Sequence, residues 1–250
     1  MQRDEWLAKC RHWKEIWPVY LLEHADDNNG LSIYEVLEAV STNLRETDIV
    51  IADAGSPSYA CPTNLKAKAA GQLIFNPSQA DMGWAVPASV GVGLNAPGRS
   101  VIVIVGDGSF YSNMQEIAVI KHHKLPVRLF VLNNDGYLSI RNTQSKYYEG
   151  RVYGVDSDSG LTFPPLEKIA DAFGISYHRI SNRNELRASC DELMHDMSPA
   201  IVEIMCKRDQ EILPAQAIKA MPDGRRSQAP LHDMTPFMSQ EELDREWPQD

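Results

Sequence analysis

Two apolar runs, each followed at once by a short polar motif, constrain the fold of this chain more than any other feature. Residues 101–105 are uniformly apolar and lead into Gly106-Asp107-Gly108, and the largely apolar residues 127–132 lead into Asn133-Asn134-Asp135-Gly136. Apolar runs of this length are typical of strands that are buried on both faces of a parallel sheet. Because open α/β sheets bind ligands at the carboxyl ends of their strands, we expect both motifs at one ligand site.

The two motifs carry oxygen ligands beside very small residues. Asp107 offers a carboxylate and Asn134 an amide oxygen, and glycine lets backbone amides approach a phosphate closely. Hard cations bind such oxygens, so the pair predicts a cation site that holds a diphosphate. The alternative is structural, because each motif alone is a common turn. Two such motifs one βα unit apart favour the ligand site.

The spacing and content of these motifs resemble the fingerprint of thiamine diphosphate-dependent enzymes. Residues 82–91 (MGWAVPASVG), 133–144 (NNDGYLSIRNTQ) and 230–236 (PLHDMTP) are further similar to acetolactate synthase-like proteins. The resemblance covers nearly the whole chain but only one domain of that family, the diphosphate-binding (PP) domain. It implies an α/β fold, and the alternation of apolar runs with helical periodicity along the chain likewise predicts a parallel sheet with helices on both faces.

The resemblance implies a cofactor, a metal and a set of residues that bind them. The cofactor would be thiamine diphosphate, and Mg²⁺ would take side-chain oxygens of Asp107 and Asn134 and the carbonyl oxygen of Gly136. A helix beginning after Ser109 is expected to point its amide-rich end at the diphosphate. The turn at Ala54 is either a second phosphate contact or an ordinary loop. The implied cofactor contacts are Gly55, Ser56, Met82, Gly83, Gly106, Asp107, Gly108, Ser109, Asn134, Gly136 and Tyr137.

Two residues are expected to influence the chemistry itself. By resemblance, Met82 would support the bent shape of the cofactor, which brings its amino group to the reacting carbon and makes proton transfer intramolecular. A core methionine is the alternative. Many relatives carry Gly-Ser or Gly-Thr before this methionine, whereas Ala80-Asp81 stands here, so the aminopyrimidine contacts stay open. Tyr137 would line the substrate cavity or pack among apolar neighbours.

Length limits how much of such an enzyme this chain can supply. At 250 residues and 28.0 kDa it can bury one sizeable core, whereas a complete enzyme of the family resembles three such domains. The pyrimidine-binding (PYR) and middle domains have no counterpart here, so the chain is either a naturally split subunit or an excised domain.

The resemblance therefore implies one subunit of a split 2-oxo acid carboligase/decarboxylase. It would be active only with a partner whose PYR domain supplies a glutamate to the cofactor. The alternatives are a simple 2-oxo acid decarboxylase subunit and a non-catalytic thiamine diphosphate-binding module.

Organisation and location follow from composition. We expect an N-terminal helix and linker over residues 1–30, the PP domain over 31–206, and a proline-rich extension over 207–250 that packs on the domain or a partner.

A formal charge of −10 gives no electrostatic footprint for nucleic acid or an anionic membrane. No run approaches the roughly 20 apolar residues of a membrane span, and the N-terminus lacks an apolar signal core. We therefore expect a cytoplasmic protein.

Overall fold

A computed structural model describes residues 3–18, 20, 29–213, 215, 218–220, 225–228, 231 and 234–247. Contacts divide the chain into two units, Met1–Gln210 and Glu211–Asp250. The predicted domain boundaries at residues 30 and 206 stay a prediction. Part of the similar segment 230–236, namely residues 230, 232 and 233, lies outside the described residues.

Six parallel strands form the sheet of the first unit. In chain order they are β1 (Ile49–Ala52), β2 (Leu73–Phe75), β3 (Val101–Gly106), β4 (Val127–Asn133), β5 (Ser176–Ile180) and β6 (Ala200–Met205). They lie side by side in the order β2-β1-β3-β4-β6-β5, and every neighbouring pair is parallel. The four central strands are almost wholly buried, which explains why their sequences read as apolar runs.

Three helices cover one face of this sheet. They are α4 (Ala85–Asn95), α6 (Ile117–His122) and α8 (Leu166–Phe173). Their apolar residues share one buried cluster with alternate residues of the strands, including Val103 of β3 and Leu129 of β4. Successive strand residues point to opposite faces, so Ile102, Ile104 and Phe130 face the other side.

Helices α2 (Ile33–Asn43) and α9 (Arg183–His195) lie on that other side and pack against each other. The side chain of Arg128, opposite in direction to Leu129, donates from Nε to the carbonyl of Leu193 in α9 at 2.9 Å. The α/β fold with a parallel sheet and helices on both faces is therefore confirmed. In the described part of this unit, the other helices are α1 (Arg3–Ile16), α3 (Ser56–Asn64), α5 (Asp107–Phe110), α7 (Leu138–Tyr147) and a 3₁₀ helix at Met114–Glu116. None of the helices within the described residues is long and apolar enough to cross a membrane.

Local structure departs from the sequence-based expectation at three places. The helix expected to begin after Ser109 begins earlier, because Gly106 is the N-cap of the short α5. The turn after β1 continues into α3, which the sequence hides because Pro57 and Pro62 both lie within it. Helix α7 was also not predicted, since its two buried residues are Leu138 and the charged Arg141, a weak hydrophobic pattern.

The second unit contains little regular structure in its described part. Strands β7 (Ile218–Ala220) and β8 (Arg226–Gln228) form an antiparallel pair. Helix α10 (Gln240–Glu246) begins with a capping box in which Ser239 and Glu242 satisfy each other's backbone amides.

Strand order fixes where a ligand can bind in the first unit. The chain leaves β1 toward β2 on one side and leaves β3 toward β4 on the other side. Because these two connections diverge, a crevice opens above the carboxyl ends of β1 and β3. Both predicted motifs lie at this edge.

Candidate functional site

Nearly all of the predicted site residues line the crevice. Those that line it are Gly55, Ser56, Met82, Gly106, Asp107, Gly108, Ser109, Asn134, Gly136 and Tyr137. Gly83 does not line it. The lining residues that were not predicted include Leu138, Ser139, Lys207 and Gln210. Lys207 follows β6, so the same rule about strand ends would have found it.

Asp107 joins the two motifs physically. It is 4% exposed, and its Oδ1 accepts from the amide of Gly108 at 2.7 Å. Its Oδ2 accepts from the amides of Gly136 at 2.8 Å and Asn134 at 3.2 Å. The register pairs Gly106 with Leu132, which sets the two strand ends side by side and lets one carboxylate bridge them.

The electrostatic setting of Asp107 suits a bound cation. Burial raises the pKa of its carboxyl to about 6, and the nearby Asp135 adds to the rise, although three backbone amides oppose it. Within the described residues, no lysine, arginine or histidine forms an ion pair with it. A cation at this position would favour the charged form of the carboxylate.

Asn134 supplies the clearest sign that this crevice can bind a ligand. Its Oδ1 atom is buried and accepts no hydrogen bond from any described residue. Leaving a buried acceptor unpaired costs free energy, typically about 1–3 kcal/mol, so such atoms call for an explanation. A carboxylate, an amide oxygen and the carbonyl of Gly136 form a donor set that fits a hard divalent cation such as Mg²⁺. The residues present therefore fit the implied metal.

Two glycines let the motifs approach their neighbours. A Cβ at Gly136, where φ is +121°, would lie 2.0 Å from the carbonyl oxygen of Val155. A Cβ at Gly108 would lie 2.3 Å from Cε1 of Tyr137. The Tyr137 ring thus covers Gly108 and also meets Phe163 edge to face at 5.9 Å. Tyr137 both lines the crevice and packs against another aromatic ring.

Asp53, which sequence reasoning missed, holds the Met82 segment at the crevice. It follows β1, is fully buried, and its carboxylate accepts from the amides of Gly83 and Ala85, both at 2.9 Å. Burial raises the pKa of this carboxyl against the effect of those amides. Met82 itself is 39% exposed, whereas the core residue Met194 is 0% exposed. Gly83 therefore acts here through its backbone, and Met82 is not a core methionine.

A second set of polar groups, centred on the buried Glu203, supports the loop after β4 from the sheet side. The Asn133 side chain donates to Oε1 of Glu203 at 2.6 Å and accepts from the amide of Asp135 at 3.2 Å. The Tyr177 hydroxyl donates to the other oxygen of Glu203. These contacts fix the first asparagine of the pair in a supporting position and leave the second one facing the crevice.

Comparison with known proteins agrees with this geometry. Residues 53–204 match the family described as thiamine pyrophosphate enzyme, C-terminal TPP binding domain. The chain belongs to this family. The matched range begins at Asp53 and includes Met82, Asp107 and the Asn134 loop, so most of the crevice lies within the TPP binding domain.

Curated relatives of this TPP binding domain carry the name acetolactate synthase. The mitochondrial acetolactate synthase of Schizosaccharomyces pombe is 24% identical over 85% of this chain and 31% of its own length. The large subunits from Porphyra purpurea and Lactococcus lactis are 27% and 25% identical, over 85% and 84% of this chain and 35% and 36% of their own lengths. The chain thus spans about a third of the length of the relatives it matches.

Proposed function

We propose that this chain is the thiamine diphosphate- and Mg²⁺-binding subunit of a heteromeric, acetolactate synthase-like enzyme that acts on a 2-oxo acid. The observation that carries the proposal is the convergence of the Asp107 carboxylate with the unpaired Oδ1 of Asn134 in one crevice. Membership of the TPP binding domain family supports the cofactor. In this proposal, a partner chain bears the PYR and middle domains.

The binding roles divide between metal and diphosphate. Asp107, Asn134 and the Gly136 carbonyl would hold Mg²⁺. Backbone amides and hydroxyls at the ends of β1 and β3 would bind the diphosphate oxygens, since both turns line the crevice and open into helices. The residues proposed for these contacts are Gly55, Ser56, Gly106, Gly108 and Ser109.

Other residues would orient the cofactor. When bound, thiamine diphosphate supplies a carbon nucleophile and an electron sink for cleaving the bond between the carboxylate and the carbonyl of a 2-oxo acid. Asp53 holds the segment of Met82 through the amide of Gly83. Met82 would support the bent shape of the cofactor. Tyr137, packed over Gly108 and against Phe163, would close one side of the crevice to water. We also propose a cytoplasmic location, which cell fractionation would test.

Two alternatives predict different products. A simple 2-oxo acid decarboxylase subunit is favoured by the segment Asn134-Asp135-Gly136-Tyr137, which resembles that branch, and it would release an aldehyde without joining it to a second carbonyl. A non-catalytic module would bind the cofactor and give no product with any partner. The intact cation ligands disfavour this second alternative.

Calorimetry with thiamine diphosphate and Mg²⁺ tests the binding site. Asp107→Ala and Asn134→Ala should each remove or strongly weaken metal-dependent cofactor binding. Asp171→Ala is the matched control, because Asp171 is an exposed acid on α8. Unchanged affinity in both site variants would refute the metal assignment.

Reconstitution tests the subunit assignment. A mixture with a chain that carries PYR and middle domains should form a heteromer and release carbon dioxide from pyruvate. Mutation of the partner's glutamate that faces the pyrimidine ring should remove this activity. Efficient decarboxylation by the 250-residue chain alone would contradict the need for a partner.

A further inference from the structure

We propose that Arg141 is a positioning residue that holds the cation loop, defined as Asn134-Asp135-Gly136, in its cation-binding conformation. The proposal rests on the function proposed above. Neither the family match nor the sequence motifs assign a role to this arginine. Its place in α7, one helical turn after the loop, puts the guanidinium beneath the loop backbone.

Arg141 binds two consecutive carbonyls of the cation loop. It is 4% exposed. Its Nη2 donates to the carbonyl oxygen of Asn134 at 2.9 Å, and its Nη1 donates to that of Asp135 at 3.1 Å. The planar guanidinium presents several N–H groups in a fixed fork, so one side chain can bind both oxygens at once.

The cation loop needs such support because its backbone is strained. Asp135 has a φ of +61° and Gly136 a φ of +121°. A left-handed conformation is unfavourable at a residue other than glycine and persists only where its surroundings enforce it. Arg141 enforces it by fixing the two carbonyls that flank this turn.

Asp107 and Arg141 act on opposite groups of the same loop. Asp107 accepts from the amides of Asn134 and Gly136, whereas Arg141 donates to the carbonyls of Asn134 and Asp135. With these amides and carbonyls engaged, the side-chain Oδ1 of Asn134 is buried and accepts no hydrogen bond from a described residue. The loop therefore offers this oxygen to a ligand instead of to its own backbone.

Other charged groups hold Arg141 itself. Its Nη1 lies 3.3 Å from Oδ2 of Asp156, a residue only 2% exposed. Its Nε lies 3.3 Å from Oδ1 of Asp209, and its Nη2 also donates to the carbonyl of Arg208. Asp156 pairs in turn with Arg208 at 3.0 Å. A buried charge is tolerated only with such partners, so the network fixes where the guanidinium lies.

Cation binding in variants of the full-length chain tests this role. The probe is Mn²⁺, followed by electron paramagnetic resonance with thiamine diphosphate at saturation. Arg141→Met should weaken Mn²⁺ binding by about 10-fold or more, the size of effect typical for residues that orient metal ligands. Arg141→Lys keeps the charge but loses the fork, so its affinity should fall between those of Arg141→Met and the unmodified chain.

Arg128→Met is the matched control. Arg128 is also buried, at 1% exposure, and donates to a backbone carbonyl, but that carbonyl belongs to Leu193 in α9 on the other face of the sheet. Its loss should lower the stability of the fold and leave the Mn²⁺ affinity of the folded fraction unchanged. An equal loss of affinity in both variants would show a merely structural role and overturn the proposal.

The outcomes separate this inference from the proposed function. If the unmodified chain binds no Mn²⁺ with thiamine diphosphate, the proposed function fails. If it binds Mn²⁺ and Arg141→Met binds equally well, the positioning role fails. Should Arg141→Met not fold, Asp156→Asn tests the role instead, because it removes the charge of the buried partner of Arg141 and keeps the side-chain shape. Unchanged affinity in folded Asp156→Asn and Arg141→Lys would equally refute the role.

Discussion

Two buried carboxylates flank the cation loop, and their ionisation behaves in opposite ways. Asp107 is 4% exposed and Asp156 is 2% exposed. Burial raises the pKa of Asp107 to about 6. Hydrogen bonds from Ser159 and Arg208 lower the pKa of Asp156 to about 2 despite its burial. Two carboxylates of similarly low exposure thus have pKa values shifted in opposite directions.

The cause of this difference is the kind of partner that each carboxylate has. Asp107 receives three backbone amides and pairs with no cationic side chain in the described part of the chain. Asp156 receives a hydroxyl and lies within ion-pair distance of two guanidinium groups. The protein itself neutralises the charge of Asp156 and leaves that of Asp107 to be neutralised from outside. Unpaired buried charge of this kind is typical of functional sites.

The largest change in the free energy of unfolding should come from removing Asp156, the carboxylate that is paired with two guanidinium groups. Asp156→Ala leaves the buried guanidinium of Arg141 without its buried partner, and breaking such a pair typically costs about 3–5 kcal/mol. Asp107→Asn should cost less in the cation-free chain, because the charge that it removes has no cationic partner. Urea unfolding at pH 7 without divalent cations measures both changes. Equal losses of unfolding free energy would break the contrast between the two residues.

The pH dependence of stability should show the two carboxylates in separate windows. The raised pKa of Asp107 contributes stability below its unfolded pKa of about 3.8, and this is lost as pH rises through about 6. The lowered pKa of Asp156 contributes stability above about 3.8, and this is lost as pH falls toward about 2. For Asp107 the shift corresponds to about 3 kcal/mol at most.

Unfolding curves of Asp107→Asn and Asp156→Asn between pH 3 and pH 7, compared with the unmodified cation-free chain, measure these contributions. The Asp107 variant should differ in its pH dependence mainly between pH 4 and pH 6. The Asp156 variant should differ mainly below pH 4. A single shared window for both variants would mean that their partners do not determine their ionisation.

A smaller effect on stability is expected at Asn134, on the crevice side of the loop. Asn134→Ala removes the unpaired Oδ1, so the cation-free chain should lose little stability. Mn²⁺ affinity in the presence of thiamine diphosphate should fall strongly, by about 10-fold or more, and each factor of 10 corresponds to about 1.4 kcal/mol. Paired measurements of urea unfolding and Mn²⁺ binding check this. A large loss of stability with unchanged affinity would contradict the assignment of Asn134 to ligand binding and of Asp156 to stability.

The smallest effect on stability is expected at Asp158, the exposed partner of Arg208. The side chain of Asp158 is 76% exposed and lies 2.6 Å from Arg208. Asp158→Ala should change the free energy of unfolding by about 0–1 kcal/mol, as for other exposed pairs, and the change should shrink in 0.5 M salt. A loss as large as that of Asp156→Ala would show that the network depends on its exposed member.

Sequence patterns could predict the strands and the crevice-facing residues because both follow local rules. Apolar runs mark β3 and β4, and the polar residues that follow them meet at one sheet edge. The roles of Asp53 and Arg141 could not be found in this way. The partners of Asp53 are the amides of Gly83 and Ala85, about 30 residues away along the chain. Asp156 looks like an ordinary loop acid until folding brings two arginines to it.

Because the Asp107 carboxylate connects the ends of two strands, a ligand that binds there should also stabilise the folded chain. Asp107 follows β3, and two of the amides that donate to it, those of Asn134 and Gly136, follow β4, so the site exists only once these strands have paired. A ligand that binds there has no counterpart site in the unfolded chain. At a concentration 100 times its dissociation constant it would add about 2.7 kcal/mol to the unfolding free energy. The amount of this protein that survives in a cell would then rise and fall with the supply of its cofactor.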